Sequence, residues 1–123
     1  MTKTHIQAPF LAFASDAADL EALKKFAAGH GWPESCITAG DIKTATEFLK
    51  ENTSPALLLV EVPSAAETKD LLAKLAEVCD PDTKVIIIGN INEYSFFCWL
   101  MDIGISSYLL RPLTQEALEG AYV

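Results

Sequence analysis

The segment Ala56–Val62 has the sequence Ala-Leu-Leu-Leu-Val-Glu-Val, a nearly continuous apolar run with one acid near its end. Such a run is typical of a central parallel strand that is covered on both faces. Val85–Ile88 is a second fully apolar run, and it is ended by Gly89-Asn90. These two segments indicate a parallel sheet with a buried centre.

Amphipathic segments separate the apolar runs along the chain. After the predicted strand Phe10–Ala14, for example, Leu20, Leu23 and Phe26 recur at helical spacing, and Asp16 is a candidate N-cap. The predicted strands are 10–14, 35–38, 56–62, 85–88 and 107–110, and the predicted helices are 16–30, 41–52, 68–78, 93–103 and one that starts at Thr114. Strict alternation of strands and helices predicts an α/β domain with right-handed crossovers and helices on both faces of the sheet.

Length and charge limit the possible functions. The chain has 123 residues, of which 50% are hydrophobic, so we expect a single domain with residues 1–8 as a tail. The net charge of −8 argues against a nucleic-acid partner, because such binders carry a basic patch. No apolar run is long enough for a signal peptide or a membrane span. We therefore expect a cytoplasmic protein without membrane insertion.

The cysteines predict neither a metal site nor a redox pair. Cys36, Cys79 and Cys98 are far apart in the sequence and form no Cys-x-x-Cys pair. Each is expected to be a small hydrophobic residue. His30 lies between two glycines, which favours a helix C-terminus over a ligand. The sequence thus predicts no metal, no cofactor and no nucleophilic catalysis.

A resemblance to a known family comes from the end of the chain. The segment Gly104-Ile-Ser-Ser-Tyr-Leu-Leu-Arg-Pro-Leu-Thr114 resembles the receiver-domain signature Gly-Ala-x-x-Tyr-Leu-x-Lys-Pro-Phe-x. Pro55–Glu61 is similar to the receiver strand that ends in the phosphorylated aspartate. The resemblance implies a CheY-like, flavodoxin-like (βα)5 fold, with a five-stranded parallel sheet in the order 2-1-3-4-5.

The resemblance also implies where a phosphorylation site would lie, and the sequence departs from it. In receivers, an acidic pair after the first strand holds Mg²⁺ and an aspartate ends the third strand. The acidic pair falls here on Ala14 and Ser15, with Asp16 one position late, and the acceptor falls on Glu61. Alanine offers no oxygen ligand for Mg²⁺, and glutamate is one methylene longer than aspartate.

Further family positions are also altered. The hydroxyl residue that ends the fourth receiver strand falls on Gly89, and the lysine that ends the fifth falls on Arg111. Tyr108 and Pro112 match the family's switch tyrosine and its usually cis proline. We therefore predict a degenerate pocket without phosphotransfer. Either Glu61 and Arg111 form a permanent ion pair there, or both charges are solvated.

Within receivers, the sequence is most similar to the N-terminal domain of TadZ/CpaE pilus-assembly proteins. The segment Ile88-Gly-Asn-Ile-Asn92, the signature at 104–112 and the missing acidic pocket carry this resemblance. In that family a MinD/ParA-like ATPase domain follows, and the protein helps to place the Tad/Flp pilus machine at the cell pole. No Walker motif occurs in the chain, so an ATPase domain would lie beyond Val123.

The fourth predicted helix contains a candidate partner surface. At helical spacing, Tyr94, Phe97, Cys98 and Met101 share one face, which we expect to pack on the sheet. The opposite face would then present Asn92, Phe96, Trp99 and Ile103 to solvent. In receivers this helix belongs to a surface, shared with the fifth strand and helix, that commonly dimerises. The prediction is a homodimer or partner contact centred on Phe96 and Trp99; a slight rotation of the helix would instead bury Trp99.

Three functions compete at this point. The leading hypothesis is a phosphorylation-independent interaction module, not an enzyme, that works with the pilus and secretion machinery or polar localisation proteins. The second is a phosphorylated response-regulator receiver that uses Asp16 and Glu61. The third is a flavodoxin-like cofactor binder, but the acidic, glycine-free turn after the first strand would repel a phosphate group.

Overall fold

The structure is a computed structural model that describes residues 9–52, 54–62, 65–80, 82–91, 93–110 and 113–122. Within these ranges the strands are β1 (Phe10–Ala14), β2 (Ile37–Ala39), β3 (Leu57–Glu61), β4 (Lys84–Gly89) and β5 (Ser107–Leu110). The α-helices are α1 (Ala17–Gly29), α2 (Ile42–Leu49), α3 (Ala65–Val78), α4 (Tyr94–Asp102) and α5 (Gln115–Tyr122). A short 3-10 helix, Glu34–Cys36, precedes β2 and takes the place of the first part of the predicted strand 35–38.

The strands form one parallel sheet in the order β2-β1-β3-β4-β5. Every residue of β1 and of β3 is buried, as expected for strands that are covered on both faces. The predicted α/β receiver fold with strand order 2-1-3-4-5 is confirmed. Because all strands are parallel, their carboxyl ends meet at one edge of the sheet, which is where the candidate pocket lies.

The first helix starts where the sequence predicts. Asp16 is its N-cap, and the Oδ1 atom of Asp16 accepts hydrogen bonds from the amides of Ala18 at 2.8 Å and Asp19 at 3.4 Å. These bonds satisfy backbone donors that the first turn leaves without helical partners. Among the described residues, no helix has both the length and the apolar character needed to cross a membrane.

An aromatic stack closes the amino-terminal edge of the sheet. The rings of Phe10 and Trp32 stack with their centroids 4.9 Å apart, and His30 stacks on the other side of Trp32 at 4.6 Å. His30 is the C-cap of α1, as predicted, and its Nε2 atom lies 2.8 Å from a carboxylate oxygen of Glu119 on α5. His30 therefore connects the end of α1 to α5.

The cysteines are all free thiols in the structure. Cys36 is buried in the core, and Cys79 and Cys98 are half-buried. Burial raises the pKa of the Cys36 thiol above its ordinary value. The core position that the sequence predicts is thus confirmed for Cys36.

Candidate functional site

The candidate pocket contains a direct contact between two of its predicted residues. Glu61 ends β3 with only 8% of its surface exposed, and Ser15 directly follows β1. The Ser15 hydroxyl donates a hydrogen bond of 2.5 Å to Oε2 of Glu61. The residue at the acceptor position is therefore bonded to a residue at the metal-binding position.

The residues around this contact do not fit a Mg²⁺ ion. Ala14 is fully buried and its side chain has no oxygen, and the Oδ1 atom of Asp16 accepts the two amide bonds at the start of α1. A Mg²⁺ ion needs near-octahedral oxygen ligands, usually with one or two carboxylates among them. Across the described ranges, no three His, Cys, Asp or Glu side chains are grouped so that they could hold a metal. The donor set thus agrees with the departure from the receiver pattern seen in the sequence.

The space at the end of β4 is filled by Tyr108 of β5. The amide of Ile91 donates a 2.8 Å hydrogen bond to the Tyr108 hydroxyl oxygen, and the tyrosine ring packs edge-to-face on Phe96 at 5.5 Å. A Cβ atom at Gly89 would lie 2.9 Å from that same hydroxyl oxygen. A side chain at residue 89 would therefore require the Tyr108 hydroxyl to move from this position.

Three of the predicted site residues lie outside the described residues. These are Arg111 and Pro112, which follow β5, and Asn92, which precedes α4. The Glu61–Arg111 ion pair stays a prediction. Glu61 has a defined partner in Ser15.

The predicted orientation of α4 is wrong. Phe96 is only 5% exposed and Leu100 is fully buried, so these two residues, one turn apart, form the face that packs on the sheet. Tyr94 and Phe97, which we expected to be buried, are 82% and 42% exposed. Phe96 therefore cannot be an exposed interface anchor.

The reason for this error is the composition of α4. Its sequence, Tyr-Ser-Phe-Phe-Cys-Trp-Leu-Met-Asp, is apolar on almost every side, so periodicity alone allows more than one inward face. Leu100 belongs to neither of the two predicted faces, although its complete burial determines the orientation. The tyrosine hydroxyl at position 94 remains in water at little cost, whereas Leu100 and Phe96 have no polar group to solvate.

The other two predicted interface residues that the structure describes, Trp99 and Ile103, differ in exposure. Ile103 is 48% exposed, as expected. Trp99 is half-buried, and the Nζ atom of Lys69 lies 5.2 Å from the centroid of its ring. Trp99 thus faces α3, away from the exposed side of α4 that carries Tyr94 and Phe97.

Comparison with known proteins gives the family. No family model matches the chain, and no curated protein matches it either. Among solved structures, the pilus assembly protein CpaE from Caulobacter crescentus CB15 is 30% identical, with a TM-score of 0.82 over 91% of this chain and 88% of that chain. A putative CpaE2 pilus assembly protein from Sinorhizobium meliloti 1021 is 28% identical, with a TM-score of 0.75 over 92% of this chain and 96% of that chain.

A structure named as a receiver shows the same fold at lower identity. A CheY-like response regulator receiver domain protein from Methanospirillum hungatei JF-1 is 16% identical, with a TM-score of 0.72 over 94% of this chain and 91% of that chain. This structure of a named receiver thus has the same fold that the strand order of this chain shows. The 30% identity to CpaE shows that the chain belongs to the CpaE/TadZ family of pilus assembly proteins, and the strand order and the receiver similarity show that it has a CheY-like receiver fold.

Proposed function

We propose that this domain is a phosphorylation-independent protein–protein interaction module of a pilus assembly machine, and that it is not an enzyme. The observation that carries the proposal is the hydrogen bond between Ser15 and Glu61. It joins the two positions between which a working receiver would hold its metal and its phosphoryl group.

The residues of this pocket support a site that does not carry out phosphotransfer. Phosphotransfer depends on positioning and on charge stabilisation by a cation, and a 1 Å error in position is already costly. Glu61 places its carboxylate one methylene further from the strand than an aspartate would. Ala14 and Gly89 supply no side-chain oxygen, and Asp16 is engaged at the helix start. No described group in this pocket replaces the missing metal ligands.

The assignment to a pilus assembly machine is based on the family. The two similar structures described above are named as pilus assembly proteins, CpaE and CpaE2. We propose that this domain likewise acts in a Tad/Flp type pilus system, in the cytoplasm and at the cell pole. We also propose that an ATPase domain follows Val123, which the full reading frame of the gene would test.

Because Phe96 is buried, we place the proposed homodimer contact on the exposed side of α4. Tyr94 and Phe97 lie on this helix, and Leu110, 43% exposed, lies on β5 at the edge of the sheet. Large apolar side chains that are exposed together next to an edge strand mark a candidate interface. We propose that this α4–β5–α5 surface, with Tyr94 and Phe97 at its centre, is where two copies associate.

A charge substitution tests the dimer. We expect Phe97→Glu to convert the dimer to a monomer in sedimentation or light-scattering measurements, because a carboxylate would be buried without a partner. Ser95→Glu, which adds the same charge at another exposed position of α4, is the matched control. An unchanged mass for Phe97→Glu counts against this surface.

A phosphodonor assay tests the main proposal. The domain is incubated with acetyl phosphate and Mg²⁺, beside a working receiver as a positive control, and its intact mass is measured. We expect no added phosphate. The competing response-regulator function predicts a phosphorylated species that disappears in Glu61→Gln, and its detection would overturn the proposal.

A further inference from the structure

A groove lies between α3 and α4, on a different surface from the α4–β5–α5 surface. It has a volume of about 630 Å³. Its floor is apolar and includes Leu72 of α3, Val85 of β4 and Ile105, which precedes β5. Residues of α3 line one side of it, and Trp99 of α4 with Ile103, the C-cap of that helix, line the other.

The walls combine small and flat side chains. Ala73 and Ala76 are exposed on the α3 side, and small residues there let another backbone approach closely. On the α4 side, Trp99 presents a half-buried ring and Ile103 an exposed aliphatic chain. This is apolar surface that the described part of the domain leaves accessible.

The floor of the groove offers no backbone hydrogen bonds to an extended peptide. β4, which lies beneath it, pairs with β3 on one side and with β5 on the other. A peptide in an extended conformation would bring polar backbone groups to an apolar floor without partners there. A helix satisfies those groups internally, so it fits this groove at a lower desolvation cost.

The two ends of the groove carry opposite charges. Lys69 lies at one end, near the start of α3, and Asp80 lies at the other, just beyond its last residue. The two residues are eleven positions apart, which corresponds to about 16 Å, or roughly three helical turns. A helix carries partial positive charge at its N-terminus and partial negative charge at its C-terminus. An occupant helix whose N-terminus lies at Asp80 and whose C-terminus lies at Lys69 matches both ends.

We propose that the groove between α3 and α4 binds an amphipathic helix of a partner protein, about three turns long and antiparallel to α3. Aliphatic residues at i, i+3, i+4 and i+7 of that helix pack against Leu72, Val85 and Ile105. This proposal goes beyond the interaction module described above, because it assigns a second surface and a partner of defined shape.

A peptide selection tests the proposal directly. The probe is a phage-displayed library of 14-residue helical peptides with aliphatic residues fixed at i, i+3, i+4 and i+7, selected on the wild-type domain alone, and each selected peptide is then titrated against the wild type and against Ala76→Arg. We expect peptides whose affinity falls roughly tenfold or more with Ala76→Arg, because arginine fills the groove. Ala28→Arg, the same change at an exposed position of α1, is the matched control and leaves the affinity unchanged.

Two readouts locate and orient the bound peptide. The chain has two tryptophans, and Trp32 is stacked on Phe10, so a Trp32→Phe background isolates the fluorescence of Trp99. We expect binding to shift this emission. A spin label at the N-terminus of the peptide should broaden amide signals around Asp80, and Lys69→Glu should weaken binding by about two- to fivefold.

Several results would overturn the proposal, and they also separate it from the dimer. Failure to select any helical peptide that is sensitive to Ala76→Arg rejects it. Selected peptides whose binding depends on Phe97 instead of Ala76 assign the site to the α4–β5–α5 surface. A groove that binds a small apolar dye in an Ala76-dependent manner, but no helix, rejects the proposed occupant. An unchanged mass of Phe97→Glu, found together with helical peptides that are sensitive to Ala76→Arg, rejects the dimer surface and supports the groove.

Discussion

The hydroxyl group of Ser15 and the carboxylate of Glu61 are joined by a 2.5 Å hydrogen bond across the carboxyl ends of β1 and β3. In the receiver pattern these positions belong to a metal ligand and to the phosphoryl acceptor. Here the short neutral side chain and the longer acid meet each other directly. The two side chains are therefore bonded to each other at the positions that, in a working receiver, serve the metal ion and the phosphoryl group.

This bond should contribute measurably to stability. We expect Ser15→Ala to lower the free energy of unfolding by about 1 kcal/mol, because a hydrogen bond to a mostly buried carboxylate is lost. Chemical denaturation measures the difference. Ser106→Ala, at another exposed serine, should change the stability by much less. Equal effects of the two substitutions would mean that the bond contributes nothing.

The close approach of Tyr108 to Gly89 predicts a coupled pair of substitutions. Gly89→Ala should destabilise the domain by about 1–3 kcal/mol, because its Cβ atom would lie 2.9 Å from the Tyr108 hydroxyl oxygen. In a Tyr108→Phe background that oxygen is absent, so Gly89→Ala should cost clearly less. A double-mutant cycle by chemical denaturation measures the coupling. Additive effects would show that the two residues are independent.

The orientation of α4 can be tested by stability. Phe96→Ala should lower the free energy of unfolding by about 3–5 kcal/mol, because it leaves a cavity beneath the helix. Phe97→Ala, one residue along the chain, should lower it by clearly less, since Phe97 is already 42% exposed, against 5% for Phe96. The reverse order of effects would restore the orientation that the sequence predicted.

The three thiols should differ in reactivity. We expect iodoacetamide to modify Cys36 last in the folded domain, because this residue is buried and burial raises the pKa of its thiol. A raised pKa leaves less thiolate at a given pH, so this part of the protection should diminish as the pH rises. Mass spectrometry of quenched samples gives the order, and labelling in denaturant, where the three rates should converge, is the control. Fast labelling of Cys36 in the native state would contradict its core position.

Much of the fold follows from local signals in the sequence. The apolar run that includes β3 and the helix start at Asp16 are each fixed by a few neighbouring residues, through burial on both faces and through N-capping. These features depend on side-chain type and on spacing along the chain, which the sequence shows directly. The strand order, in contrast, is implied by the resemblance of residues 104–114 to the receiver signature.

The contacts inside the pocket and the rotation of α4 were not predictable in the same way. Ser15 and Glu61 are 46 positions apart, and their hydrogen bond depends on the exact rotamers of both side chains. The fit of Tyr108 over Gly89 depends on the distance between neighbouring strands. In α4, more than one apolar face could pack on the sheet, and the face that does so contains Leu100. Tertiary packing decides among local alternatives that a single sequence leaves equal.

The cap formed by Asp16 has an evolutionary consequence. If this carboxylate were recruited to a magnesium ion, the first turn of α1 would lose its capping bonds. If instead an aspartate arose at position 15, it would place a second negative charge beside Glu61 and remove the hydroxyl donor. We expect either single change to lower the stability of the domain, and neither supplies a complete set of metal ligands. If the domain is the interaction module proposed above, several substitutions would therefore have to arise together before it could act as a phosphorylation switch.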